Sequence, residues 1–209
     1  MNKKSIFPDP RKTTTSGLLA VGGNLSPQWL LQAYSSGIFP WFRDEGLIHW
    51  YCPPQRMILI PSEIKISRSL RQVIRSNKFS ITEDKAFKEV ILQCAEMHAM
   101  DKGQTWIDDS FIEAYVKMHE LGYAHSVEVW EQENLVGGLY GIALGKIFCG
   151  ESMFSISSNA SKVALVYLCE TNNYSMIDCQ VPTVHLQSMG ACVISRDDFL
   201  SLLKKYRVE

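Results

Sequence analysis

The sequence predicts an α+β protein in two parts, a small N-terminal α/β domain and a larger domain built on a mixed sheet. Two observations carry this expectation. Turn formers crowd the start of the chain, where Pro8, Pro10, Gly17, Gly22, Gly23, Pro27, Gly37, Pro40, Pro53, Pro54 and Pro61 leave room for one short helix. Beyond Pro61 the periodicity becomes regular, with strand-like segments joined by short links and then helices alternating with strands to the C-terminus. The expected boundaries are therefore 1–61 and 62–209.

The N-terminal helix begins near Ser26-Pro27, a capping residue followed by proline at the first helical position, and stops at Gly37. In the larger part, Ala86, Phe87, Val90, Ile91, Cys94 and Ala95 recur at helical spacing. Ser110-Phe111-Ile112-Glu113 reads as a capping box opening a helix that ends at Gly122. His125–Trp130, Leu135–Ala143 and Ile147–Phe154 are strand candidates, and their short links predict antiparallel hairpins. Asn159 or Ser158 caps a helix carrying Val163, Ala164, Val166, Tyr167 and Leu168. A strand over Met176–Val181, a short helix over Val184–Ser188, a strand over Ala191–Ile194 and a helix over Asp197–Tyr206 complete the chain. This order is compatible with the fold of the GCN5-related N-acyltransferases (GNAT-like).

Composition narrows the function classes. With 46% hydrophobic and 21% charged residues the chain is an ordinary globular sequence, and a formal net charge of -1 confines any RNA contact to a local basic face. The six cysteines show neither a CxxC pair nor zinc-finger spacing, which predicts reduced thiols, no metal and a cytoplasmic setting. Met1–Pro8 lacks a hydrophobic leader core, and no apolar run approaches the length needed to span a bilayer.

The chemistry is expected where polar groups interrupt buried strands, because such groups are costly unless paired or used. Glu151 sits between Phe148 and Phe154 in an otherwise apolar run. It either binds an amino group of a substrate or forms a structural salt bridge. Asp178 and Gln180 lie two apart on a strand candidate, so regular alternation would point them to one side of a sheet. They form a reactive pair, or else Asp178 caps a neighbouring element and Gln180 faces solvent. Gly137, Gly138 and Gly141 weaken their strand unless a ligand or a neighbouring element approaches the backbone closely.

Several strings together resemble the leucyl/phenylalanyl-tRNA–protein transferases, in that family's order and over nearly the whole chain. They are Gly17 to Pro27, Gly37-Ile38-Phe39-Pro40-Trp41-Phe42, His125-Ser126-Val127-Glu128-Val129-Trp130, Gly137-Gly138-Leu139-Tyr140-Gly141, Gly150 to Ser155, and Ile177-Asp178-Cys179-Gln180. Two departures are Asn24, where aspartate is usual, and His49 and Tyr51 around Trp50, where a Trp-Trp pair is common.

The resemblance implies a cytosolic, cofactor-free enzyme of the N-degron pathway, expected to be a monomer. It would move leucine or phenylalanine, and less readily methionine, from aminoacyl-tRNA to an N-terminal Arg or Lys of a protein. It makes Asp178 and Gln180 the catalytic pair, assigns Trp50, Trp106, Phe148, Gly150 and Met153 to a hydrophobic pocket, and adds Glu151 as a substrate-binding group. An aminoacyl ester is already activated, so the enzyme must mainly orient the reactants and handle one proton. Whether a side chain or the terminal ribose hydroxyl takes that proton stays open.

Arg68, Arg71, Arg75 and Lys78 recur at three or four residues, and a helix would align them for phosphate contacts with tRNA. Two rival functions share parts of this pattern. An acetyl-CoA-dependent N-acetyltransferase would need a glycine-rich pyrophosphate loop, but Phe154 to Ser161 holds no glycine. A non-catalytic RNA-end or N-degron binding module gives no reason for Asp178 and Gln180 together.

Overall fold

The computed structural model describes residues 5–102 and 105–207; Met1–Lys4, part of the segment read as lacking a leader core, lie outside the described residues. The expected mixed α+β architecture is present. A three-stranded sheet is built from β1 (Leu18–Val21), β2 (Phe39–Asp44) and β3 (Leu47–Tyr51) in the order β1-β3-β2. Helix α1 (Pro27–Ser35) packs against it and ends at Gly37, whose φ of +77° lets the chain turn back into β2. The early strands were illegible because β1 and β3 are short and stand between turn formers, and Pro40 lies inside β2.

The larger sheet has seven strands: β4 (Gln55–Leu59), β5 (Ser80–Glu83), β6 (Ala124–Glu131), β7 (Asn134–Leu144), β8 (Ile147–Ser155), β9 (Met176–Gln180) and β10 (Cys192–Ser195). Their order is β10-β4-β9-β8-β7-β6-β5. Every pair is antiparallel except β8 and β9. The change of sheet comes before Pro61, since β4 already pairs with β9 and β10. We keep the two-part division as a proposal, with β4 assigned to the larger sheet by its hydrogen bonds. One apolar core runs through both parts, joining Leu30, Tyr34 and Trp50 to Phe111, Tyr115 and Tyr140.

The helices are α2 (Arg68–Arg75), α3 (Phe87–Lys102), α4 (Asp109–Glu120), α5 (Ala160–Glu170), α6 (Val184–Ser188) and α7 (Arg196–Tyr206). The start of α4 corrects the capping-box reading at Ser110: the cap is Asp108, whose carboxylate accepts from the Ser110 and Phe111 amides. An ionised cap two residues earlier satisfies the same orphan donors more strongly than a serine hydroxyl.

Two irregularities shape the functional region. In the β7–β8 ladder Tyr140 faces Ser152 while Gly141 faces Gly150, so Glu151 is an extra, bulged residue. In the β4–β9 ladder Met57 faces Gln180 while Ile58 faces Asp178, which makes Cys179 the extra residue. The parallel pairing of β8 with β9 reaches Cys149 and Asp178, and both strands then continue without pairing to each other. The sheet therefore opens between two bulged strands, next to Gly150, Glu151 and Gln180.

Candidate active site

A cavity of about 580 Å³ lies in that opening. Its walls come from Pro40 and Trp41 on β2, His98 on α3, Leu139 and Tyr140 on β7, and Phe148 and Gly150 to Met153 on β8. Leu165 and Leu168 on α5, Ile177 to Gln180 on β9, His185 and Leu186 on α6, and Trp106 complete it. A mostly apolar wall with a few converging polar groups is the usual form of a small-molecule site.

Glu151 is the central polar group. The bulge turns its carboxyl toward the cavity, where it accepts from the Tyr115 hydroxyl at 2.8 Å and from the Gln180 amide nitrogen at 2.8 Å. The Tyr115 hydroxyl in turn hydrogen-bonds that of Tyr34, so a chain of polar contacts runs from α1 through α4 to β8 and β9. These partners are neutral, and burial is the largest influence on the carboxyl, pushing its pKa up to about 8 despite the hydrogen bonds that favour the anion. Among the described residues Glu151 joins no salt bridge.

Asp178 is built differently. Its carboxylate receives the Arg56 guanidinium side-on, with Nε donating to Oδ1 at 2.7 Å and Nη2 to Oδ2 at 2.6 Å. Oδ1 also accepts the backbone N–H of Gln180 at 2.9 Å. Both side chains of the pair are about 1% exposed. Gln180 itself has φ +61°, a left-handed conformation costing a non-glycine residue about 1–3 kcal/mol unless its surroundings enforce it. This corrects the expectation that Asp178 and Gln180 share one face of a regular strand. The Cys179 bulge breaks the alternation, and the two side chains reach toward opposite neighbours of β9, Asp178 to β4 and Gln180 to β8.

Of the pocket residues inferred from sequence, Trp106, Phe148, Gly150 and Met153 line the cavity. The Trp106 ring stands edge-on to Phe111, centroids 5.7 Å apart. Trp50 is absent from the wall. It is fully buried against Phe7, at 4.8 Å, with its Nε1 donating to the Gly22 carbonyl at 2.8 Å. The tryptophan that β2 brings to the cavity is Trp41. The glycines of β7 are explained by sheet packing: a Cβ on Gly141 would lie 2.2 Å from the Cys149 carbonyl oxygen, and one on Gly137 would lie 2.4 Å from the Ala160 Cβ. A Cβ on Gly150 would meet nothing closer than the Asp178 carbonyl oxygen at 3.5 Å.

The two tryptophans should respond oppositely to truncation. Trp106→Ala is expected to weaken donor binding about tenfold or more, the usual worth of one base–aromatic or pocket-wall contact, with little change in melting temperature. Trp50→Ala is expected to cost about 3–5 kcal/mol of stability and to lower the melting temperature by roughly 10 °C. Donor titration and thermal melts of both variants check this. A Trp106→Ala protein that melts like Trp50→Ala would make Trp106 a core residue.

Helix α2 presents Arg68, Arg71 and Arg75 on one exposed stripe beside Gln72, while Leu70 anchors its inner face. Lys78 lies beyond the helix end, where it pairs with Glu131 at 3.3 Å and donates to Ser157 Oγ at 2.9 Å. Helix α2 packs on α5, the helix that also carries Leu165 and Leu168 into the cavity wall.

The family model for the leucyl/phenylalanyl-tRNA protein transferase matches residues 58–204, and the model for that family's N-terminal domain matches residues 23–54. The chain belongs to the leucyl/phenylalanyl-tRNA–protein transferase family. Relatives bearing that name include one from Syntrophobacter fumaroxidans, 52% identical over 97% of this chain and 88% of the relative. One from Flavobacterium psychrophilum is 50% identical over 98% of this chain and 99% of its own. Among solved structures, FemX aligns with a TM-score of 0.49 at 10% identity, covering 84% of this chain and 70% of its own. A GCN5-related N-acetyltransferase from Kribbella flavida aligns with a TM-score of 0.39 at 12% identity, covering 79% and 60%. Those scores add nothing to the assignment, which rests on the family models and the relatives.

The residues that sequence reasoning missed are Tyr34, Trp41, Arg56, His98 and Tyr115. Tyr34 and Tyr115 recur at helical spacing among core residues, and nothing in the sequence separates them from the core. Arg56 follows Pro53-Pro54 in a segment that reads as a turn. Among the described residues no helix is long and apolar enough to cross a membrane, and no cluster of three His, Cys, Asp or Glu could hold a metal ion.

Proposed function

We propose that this aminoacyltransferase takes leucine or phenylalanine, and less readily methionine, from aminoacyl-tRNA and joins it to the N-terminal Arg or Lys of a protein in the cytoplasm, creating a primary N-degron. The observation that carries the reading is the apolar cavity that ends on Gln180 and Glu151. Its aliphatic and aromatic wall suits an uncharged leucyl or phenylalanyl side chain, and Trp106 and Trp41 offer flat faces to the terminal adenine. Reaction is aminolysis of the ester. The neutral α-amine attacks the carbonyl carbon, a C–N bond forms, the C–O bond to the ribose breaks, and the ribose oxygen leaves with a proton.

In this reading Gln180 holds the amine. Its Nε2 is committed to Glu151, which leaves its carbonyl oxygen to accept a hydrogen bond from the incoming amine. Effective molarity and orientation supply most of the acceleration for an activated ester, so a group held by both its main chain and its side chain suits this task. Incubation with labelled leucyl-tRNA and a peptide beginning with arginine should give leucyl-peptide. The same peptide with an acetylated N-terminus should give none, and labelled acetyl-CoA should not react. Acetyl transfer in place of leucyl transfer would overturn the reading.

We further propose that the α2 stripe contacts the tRNA backbone. Arg71→Glu with Arg75→Glu should weaken aminoacyl-tRNA binding and flatten its log–log salt dependence by roughly one to two units, as expected for about two lost phosphate contacts. Use of a short aminoacyl-adenosine donor should barely change. Equal losses with both donors would move the RNA track elsewhere.

A further inference from the structure

The Arg56–Asp178 pair is buried at the back of the site, and nothing in the proposed reaction so far requires the arginine. Its guanidinium lies between the rings of Phe39 and Phe199, 4.6 and 4.5 Å from their centroids, and Nη1 has no hydrogen-bond partner among the described residues. Burying an ion pair in this way is a poor route to stability, because desolvation offsets most of the attraction and apolar replacements often serve as well. What the pair supplies is geometry. Two parallel hydrogen bonds fix the Asp178 carboxylate, and the same Oδ1 that receives Arg56 Nε receives the main-chain N–H of Gln180. That hydrogen bond spans the Cys179 bulge and holds Gln180 in its left-handed conformation, from which its amide reaches Glu151.

We propose that Arg56 is a positioning residue for the transfer reaction, acting through Asp178 on the main chain of Gln180. The proposal rests on the reading of Gln180 as the group that holds the attacking amine. Asp178 lines the cavity, but its side chain is about 1% exposed and its carboxylate is taken up by the guanidinium and the Gln180 N–H, so it passes on the orientation that Arg56 sets. A lysine at position 56 keeps the charge but cannot make the side-on pair. It leaves Asp178 free to tilt, and Gln180 with it.

The test is a double-variant cycle read by single-turnover transfer from leucyl-tRNA, with donor binding and thermal melts measured alongside. Arg56→Lys should lower the transfer rate at saturating donor by about ten- to a hundredfold, the usual effect of a small misplacement of a reacting group, while donor affinity changes by less than about threefold. In a Gln180→Ala background the same substitution should cost almost nothing, because the group it positions is already gone. Should Arg56→Lys melt below the assay temperature, Arg56→Met with Asp178→Leu, which removes both buried charges at similar volume, carries the same comparison. A wild-type rate in the folded variant, or losses that multiply in the Gln180→Ala background, would overturn the role of Arg56 while leaving that of Gln180 standing. A wild-type rate in Gln180→Ala alone would remove the reading beneath it, and the proposal with it.

Discussion

Gln180→Ala is expected to lower single-turnover leucyl transfer about a hundredfold or more, with donor affinity and melting temperature close to wild type. The side chain is half-buried and makes one protein hydrogen bond, to Glu151, so its removal empties little space in the core. What is lost, on the proposed reading, is the amide oxygen that would accept from the amine. The variant separates positioning from folding better than any change at Asp178. Asp178→Asn would leave the Arg56 guanidinium buried without its counter-charge, a loss of about 3–5 kcal/mol for pairs of this kind. Inactivity of Asp178→Asn therefore speaks for stability as much as for catalysis, whereas inactivity of a folded Gln180→Ala speaks for the reaction. Rapid-quench transfer with saturating leucyl-tRNA, beside a donor titration, distinguishes the cases. If the rate falls only as far as donor affinity falls, Gln180 binds the donor and the amine is held elsewhere.

The legibility of this site in the sequence followed from how regular each element is. From β6 to α7 the apolar positions keep period, and the expected strands and helices lie within a residue or two of those observed. The N-terminal sheet was hidden because its register depends on bulges beside Pro40 and Ala20, which erase alternation. Glu151 and Gln180 were found because a polar residue in an apolar strand is costly. Their geometry was not, because a bulge is invisible to a period of two. Trp50 and Trp41 show the limit of aromatic patterns. Both lie on early strands, and only the fold decides that one packs on Phe7 while the other faces the cavity. Arg56 offers the same lesson for charge: an arginine after two prolines reads as a solvated turn, and only the pairing of β4 with β9 carries it to Asp178.

Glu151→Gln is expected to change both the pH dependence of stability and the rate of transfer. The folded carboxyl is pushed up to about 8 because burial penalises its charge, whereas in the unfolded chain it titrates near the ordinary glutamate value of 4.5. Between those values the folded state holds the extra proton. The stability this group contributes should therefore be fully present below about pH 4.5, fall as pH rises from there toward 8, and level off above it. Glutamine does not titrate, so the variant should lose this slope, and its melting temperature should overtake that of wild type by several degrees at pH 8 and above. Transfer should move the other way. An ionised carboxylate only accepts hydrogen bonds, so it obliges Gln180 to present Nε2 and to leave its oxygen for the amine. Glutamine at 151 offers a donor as well as an acceptor and no longer dictates which end of the Gln180 amide faces the substrate. Loss of about tenfold or more in the single-turnover rate at pH 8, in a protein that melts higher than wild type, is the expected combination. Parallel pH–melting curves for the two proteins would place the titration outside Glu151. An unchanged rate in a stabilised variant would leave Glu151 a buried acid with no part in orienting Gln180.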